Sequence, residues 1–370
     1  MNGDRDKNAS RTLAHRLAAG RDRVVYDGEF GGVRGLEIGV LMPPVPRRTA
    51  DTARMVEELG FDTVLFPDSQ NLAPEVWGQL ALAAKATKRV KLGPGVSNSV
   101  TRDAAVTASA ALALQVESDG RAILGIGRGD SAVQRIGKRE DPVASFERYL
   151  TNVQAYLCGD AVDRDGFASR LEWLPHVRAA KVPVAVAATG PRVIEAAARR
   201  ADAVCLAVGA APEYVGTKLE HARGAARGAG RGAVRFGAFV TCVVSDDVRT
   251  ARDAVRGVAA TFARFSALGG SDLSRLPEPL ATAARHLRLH YDMREHTRVD
   301  AAHAAGLSDE FVDWFAIAGP PAAALERFRA LAALGLDFLW VTPGSTGMPR
   351  ELAASSLASL ARDVMPRLRE

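Results

Sequence analysis

The sequence predicts a (β/α)8 barrel, an α/β fold, from three observations. Eight short apolar runs recur along the chain, most of them separated by stretches with helical patterning. The runs are apolar throughout rather than alternating, as strands buried on both faces of a parallel sheet are. The 370 residues, 47% hydrophobic and 25% charged, suit one large α/β domain with a sizeable core. A doubly wound open sheet shows the same local pattern, but eight units without a dominant dinucleotide fingerprint favour closure.

Taken in order, residues 1–35 carry Gly, Asp and Arg without apolar periodicity and read as a peripheral arm, with the barrel domain expected over 36–370. Strands are placed at 36–41, 62–66, 90–96, 121–126, 182–187, 202–207, 236–243 and 337–342. Three of them share a phrase: LGFDTVLFP from Leu59, RADAVCLAV from Arg200 and LGLDFLWVTP from Leu334. In each, Gly or Ala closes a helix-like stretch, an Asp leads a turn, and an apolar run follows. Gly60 and Gly335 suit the left-handed residue that ends a helix. The third strand, within LGPGVSN (92–98), places two glycines in its interior, which weakens a strand unless a bulge or close backbone approach requires them. A bulge at Gly95–Val96 would aim a β-branched side chain into the barrel mouth. Between Ser245 and Trp314 lie about 70 residues of helical character with a breaker-rich middle, too long for an ordinary connection. They read as a helical insertion at the mouth.

Composition excludes several classes. No apolar run approaches the roughly 18 residues that span a bilayer, and the charged N-terminus is unlike a secretion signal. Cys158, Cys205 and Cys242 are far apart with no C-x-x-C spacing, which points to a reducing cytoplasm. The net charge of +5 raises nucleic acid as a partner. However, basic and acidic residues alternate, and the one basic cluster, HARGAARGAGRGAVR, lacks interleaved aromatics. A small-molecule substrate is expected instead, with no nucleic acid and no membrane.

In a barrel of this kind the chemistry sits at the C-terminal ends of the strands. Those ends read MPP, PDSQN, GVSN, GRGDS, ATGPR, VGAAP, VSDD and TPGS: rich in Gly, Ser and Pro, poor in His, Cys and Lys. The composition suits cradling a flat cofactor more than hydrolysing a bond. In ATGPR, a helix begins with Pro191 just after Thr189 and Gly190, so free backbone N–H groups, the Thr189 hydroxyl and Arg192 would hold a phosphate. An ordinary strand-to-helix turn remains the alternative. GIGRGD (125–130) lacks Rossmann spacing, but Gly127 and Gly129 would let backbone approach a ring, with Asp130 at the mouth as acid or acceptor. Asp68 and Ser69 end the second strand, where Asp68 accepts from a ring N–H or caps the next turn. No G-x-S-x-G elbow supports a Ser-His-Asp hydrolase. His286 and His290, with the looser pair His296 and His303, have spacing conceivable for zinc but read more readily as a charged helix face. Lys181 precedes its strand, on the wrong side for a Schiff base.

Residues 92–137, LGPGVSNSVTRDAAVTASAALALQVESDGRAILGIGRGDSAVQRIG, preceded by FPDS and followed by AATGP and FAIAGPP…LGLDFLWVTPG, resemble the luciferase-like (LLM class) flavin/coenzyme F420-dependent oxidoreductase superfamily. The likeness is greatest to its methylenetetrahydromethanopterin reductase-like branch and runs from about Leu36 to Thr346. It implies a (β/α)8 TIM barrel holding a flavin or deazaflavin at its mouth. It also implies a bulge with a non-prolyl cis peptide behind the ring, which maps to Gly95–Val96, with Ser97 and Asn98 beside it as further cofactor-binding residues. Asp68 maps to the family's second-strand Asp, Gly127, Gly129 and Asp130 to its glycine-rich turn, and Thr189, Gly190, Pro191 and Arg192 to its phosphate turn. Several deazaflavin enzymes of the superfamily carry His after the second-strand Asp, but here the residue is Ser69.

The resemblance implies a cytoplasmic, dimeric oxidoreductase moving hydride between coenzyme F420 and a small organic substrate. Asp68 would bond the ring, Val96 press its back face and Asp130 relay a proton, with His296 as a substitute. The alternatives are an FMN-dependent monooxygenase on the same fold and a non-catalytic flavin-binding barrel.

Overall fold

The computed structural model describes residues 35–267 and 272–369. The arm expected over 1–35 lies, but for Gly35, outside the described residues.

Twelve strands form among them: β1 (Glu37–Leu41), β2 (Thr63–Phe66), β3 (Lys91–Pro94), β4 (Ser97–Asn98), β5 (Leu124–Gly127), β6 (Val162–Arg164), β7 (Phe167–Ser169), β8 (Val184–Ala188), β9 (Ala203–Leu206), β10 (Arg235–Val244), β11 (Ile317–Gly319) and β12 (Phe338–Thr342). All eight expected strand positions carry strand, and the large sheet is parallel in the order β3-β2-β1-β12-β10-β9-β8-β5-β4. The expected third strand is split in two. β3 pairs β2, and β4 pairs β5 through Ser97↔Ile126. A bridge between Leu92 and Ala122 joins the lower parts, so the ring closes as an eight-membered (β/α)8 barrel. Closure is tight: a Cβ on Gly93 would lie 1.9 Å from the Ile123 carbonyl oxygen, and one on Gly125 2.1 Å from that of Pro94.

The repeated Asp of the sequence phrase has one task in all three places. Asp62, Asp202 and Asp337 each accept the first free N–H of a neighbouring strand, from Ile38 (2.8 Å), Val184 (2.8 Å) and Phe236 (2.7 Å). These donors sit at the closed bottom of the barrel, where an unpaired buried N–H would cost about 1–3 kcal/mol. Gly60 and Gly335, at φ +84° and +76°, end the preceding helices as expected.

Two apolar layers result. One fills the space between sheet and helices. The other fills the barrel interior with Leu65, Ile123, Ala185, Cys205, Phe239, Phe338 and Trp340, so the barrel is a packed core rather than a pore. After β10 the chain runs through helices Val248–Ala267, Glu278–His290, Ala302–Ala305 and Asp309–Phe315 before β11. Two elements were not anticipated. β11 extends β10 at the top of the barrel through Cys242↔Ile317 and Val244↔Gly319, and β6–β7 form an antiparallel hairpin. No described helix is long and apolar enough to cross a membrane.

Candidate active site at the barrel mouth

The floor of the mouth is apolar. Leu41, Val96, Ala187 and Phe262 are half-buried and lie on the interior layer, with Phe262 contributed by helix Val248–Ala267. The Gly95–Val96 peptide is cis, at the place the two strand glycines indicated. Val96 spreads over β5: its methyls lie 3.2 Å and 3.4 Å from where a Cβ would stand on Gly125 and Gly127.

On the β2–β3 flank, polar groups are spent on one another. Asp68 is 5% exposed and accepts from Ser97 Oγ (2.7 Å), Arg102 Nε (3.0 Å) and Arg102 Nη2 (3.2 Å). Arg102 also reaches Glu75 at 2.9 Å. Both oxygens of Asp68 are therefore engaged in holding the segment that carries Val96, rather than lying open to a ring. Buried Asn98 fixes the turn that follows, its Oδ1 accepting from Val100 N, Thr101 N and Thr101 Oγ1. Ser69 Oγ meets Ser131 Oγ at 2.8 Å and ties the second and fourth loops together.

Above β5, Gly129 takes φ +96° and delivers Asp130. Asp130 Oδ1 accepts from Arg264 Nη1 at 2.7 Å, while its Oδ2 is buried with no partner. Arg264 Nη2 donates to Gln134 at 2.8 Å, and its guanidinium carbon lies 4.6 Å from the Tyr291 ring centre. Tyr291 Oη in turn meets Thr261 Oγ1 (3.0 Å) and His296 Nδ1 (2.7 Å). Burial pushes the His296 imidazole down to about 4 and the Tyr291 phenol up to about 12.

The β8 flank is the opposite of the β2–β3 flank. Helix Pro191–Arg200 starts from Gly190 with no side-chain cap; Pro191 has no N–H and Val193 N donates to the Gly190 carbonyl at 3.1 Å, so the Arg192 N–H and the helix dipole are what this start offers. Thr189 Oγ1 donates to the Ala207 carbonyl at 3.2 Å. Arg192 is exposed and close enough to Arg128 for the two charges to be felt; with burial as the larger cause, this lowers the Arg128 pKa. Two cations thus lie beside an uncapped helix start, the elements from which anion sites are built.

The structure thus brings Asp68, Ser69, Gly95, Val96, Ser97, Asn98, Gly127, Gly129, Asp130, Thr189, Gly190, Pro191 and Arg192 to one end of the barrel. The remaining candidates lie elsewhere. Lys181 pairs with Asp202 below β8, and His286 lies beside His290, ring centres 4.8 Å apart, and bonds the His303 carbonyl. No group of three metal-ligating side chains occurs among the described residues. Sequence reasoning missed Arg102, Arg128, Arg264 and Tyr291. Two of them had a local signal: Arg102 stands beside the capping Asp103 of helix Ala104–Glu117, and Arg128 lies inside the glycine-rich turn GIGRGD.

A family model described as luciferase-like monooxygenase matches residues 25–337. The 5,10-methylenetetrahydromethanopterin reductase of Archaeoglobus fulgidus is 28% identical over 325 residues, 85% of this chain and 94% of that protein. The phthiodiolone/phenolphthiodiolone dimycocerosates ketoreductase of Mycobacterium kansasii is 31% identical over 345 residues, covering 85% and 88%. In fold, the chain is similar to an F420-dependent secondary alcohol dehydrogenase solved with an F420-acetone adduct. The TM-score is 0.72, with 18% identity, 91% of this chain and 100% of that one covered.

Proposed function

The chain belongs to the luciferase-like monooxygenase family, and from that premise we propose an F420-dependent oxidoreductase that exchanges hydride with a small organic substrate bearing a carbonyl or alcohol. One observation carries the reading: an apolar floor under Val96 lies beside an uncapped helix start with Arg128 and Arg192, which fits a flat ring with a phosphate tail. When bound, the deazaflavin supplies the hydride chemistry. Val96 backs the ring, and Gly127 leaves room for the backbone to approach it. Gly190, Arg192 and Arg128 hold the phosphate, and Asp68 acts through Ser97 and Arg102 by fixing the segment that carries Val96. Helix Val248–Ala267 lines the mouth, adding Phe262 to the apolar floor and Arg264 beside Asp130, and excludes water.

The family name favours a second reading, an FMN-dependent monooxygenase, on the same floor and phosphate site. Titration of the purified protein separates the two. Quenching of F420 fluorescence at micromolar protein, and F420H2 oxidation on adding ketone, are expected. Tight FMN binding with oxygen consumption instead would transfer the assignment, and binding of neither would overturn both. A homodimer and a cytoplasmic location complete the proposal.

A further inference from the structure

Resting on that reading, we propose that His296 is the acid–base group of this chain: its Nε2 meets the substrate oxygen at the carbon that exchanges hydride, and Tyr291 positions it. The other mouth groups able to move a proton are engaged. Ser69 is bonded to Ser131, Asp68 holds Ser97 and Arg102, and Asp130, whose Oδ2 is unpartnered, is a carboxylate ion-paired through Oδ1 with the Arg264 guanidinium and so has no proton to give. His296 is held from one side only. Its Nδ1 lies 2.7 Å from Tyr291 Oη, while Nε2 makes no hydrogen bond among the described residues, and the ring is half-buried.

The pair is anchored where the reaction would occur. Tyr291 Oη bonds Thr261, whose chain neighbour Phe262 lies on the floor of the mouth. Arg264, on the same helix, joins Asp130 to the face of the Tyr291 ring. Arg135 Nη2 donates to the Met293 carbonyl at 2.6 Å, tying the segment before His296 to the end of the short helix Ser131–Gln134 that follows β5. The charged and titratable groups facing the imidazole are Asp130, Arg264, Arg135 and His303, and its burial keeps it neutral at working pH. A neutral imidazole bonded at Nδ1 to a phenol offers Nε2 to a ligand either as donor or as acceptor.

In the reducing direction the substrate carbonyl carbon receives a hydride, with its electron pair, from the reduced deazaflavin. The C=O π pair moves to oxygen, and oxygen takes the Nε2 proton. Nδ1 takes the Tyr291 proton, and the phenolate charge faces Arg264 until solvent returns a proton. The proton that the oxidised deazaflavin gives up to solvent balances that return. Alcohol oxidation runs the same steps backwards.

The test begins on the protein without cofactor. Nitrogen NMR of 15N-histidine protein, with His296 identified by its loss in His296→Gln, should show a neutral ring in one tautomer at pH 6. Tyr291→Phe should mix the tautomers. With F420 bound, adding acetone or 2-propanol should move the Nε2 resonance. With F420H2 and acetone or cyclohexanone, His296→Gln should lose about 100-fold in kcat, within the usual range for general acid–base catalysis. Its KM, F420 affinity and circular dichroism should stay within threefold or unchanged. Tyr291→Phe should lose less and shift the pH profile. A charged ring at pH 6, an Nε2 resonance blind to both probes, or full kcat in His296→Gln with F420 bound would overturn the assignment alone. Absence of F420 binding by the wild type would overturn it together with the reading it rests on.

Discussion

The two flanks of the barrel mouth use polar residues in opposite ways. On the β2–β3 side the hydrogen-bonding groups of Asp68, Ser97, Asn98 and Arg102 are bonded to one another or to the turn that follows. On the β8 side a helix begins uncapped, and exposed Arg192 makes no ion pair among the described residues. The first flank spends its polar groups on shape, positioning an apolar side chain; the second leaves the Arg192 guanidinium and the helix dipole uncompensated. A residue's contribution to stability and to binding should therefore separate by flank.

The largest effect should come from breaking the closed flank. Arg102→Met leaves Asp68, 4% exposed at its side chain, buried without its cation. Removing one partner of a buried pair costs about 3–5 kcal/mol. Urea denaturation should show a loss of that order together with weakened F420 binding, because the segment carrying Val96 loses its anchor. A loss under about 1 kcal/mol would mean that the flank does not depend on this pair.

The segment carrying His296 behaves as a third region, and pH places it. With the His296 imidazole held near 4 by burial against an ordinary 6.5, its contribution to stability is present above about pH 6.5 and lost as pH falls to about 4. The wild type should therefore lose up to about 3 kcal/mol more than His296→Gln between pH 7.5 and pH 4 in paired urea titrations. Equal losses would show that the ring is solvated in the folded protein. The open flank should respond only in binding. Arg192→Ala should weaken F420 by about tenfold, the scale of one charged hydrogen bond, and shift stability by less than about 0.5 kcal/mol.

What was legible in the sequence follows from where the information lies. The barrel strands stood out because burial on both faces makes them continuous apolar runs, and Asp62, Asp202 and Asp337 mark their starts. β11 did not, since three residues, Ile317–Gly319, pair only because β10 overshoots the barrel. The hairpin carried a turn signal at Asp165–Gly166, both in the left-handed region at φ 53° and 88°, between runs too short and too exposed to read as strands. Site residues at strand ends were legible because barrel geometry collects them. The partners that decide their roles were not. Arg102 lies 34 residues from Asp68, and Arg264 lies 134 from Asp130, on a helix whose own pattern says only that it is amphipathic.

The smallest expected change is the sharpest test of the comparison. Gly190 has φ −82° and ψ 152°, which any residue adopts, and a Cβ added there would meet no protein atom within 4 Å. Gly190→Ala should therefore cost the protein nothing. By restricting the unfolded chain it should even stabilise by about 0.4–1 kcal/mol, read as a small rise in melting temperature. The same methyl would stand at the mouth of the proposed anion site, beside the Arg192 N–H that a phosphate needs to approach closely. Affinity for F420 should fall several-fold while stability rises, an opposite movement that a purely structural turn would not produce. If both stay level, the N-terminus of helix Pro191–Arg200 carries no ligand, and the open flank is an ordinary strand-to-helix turn.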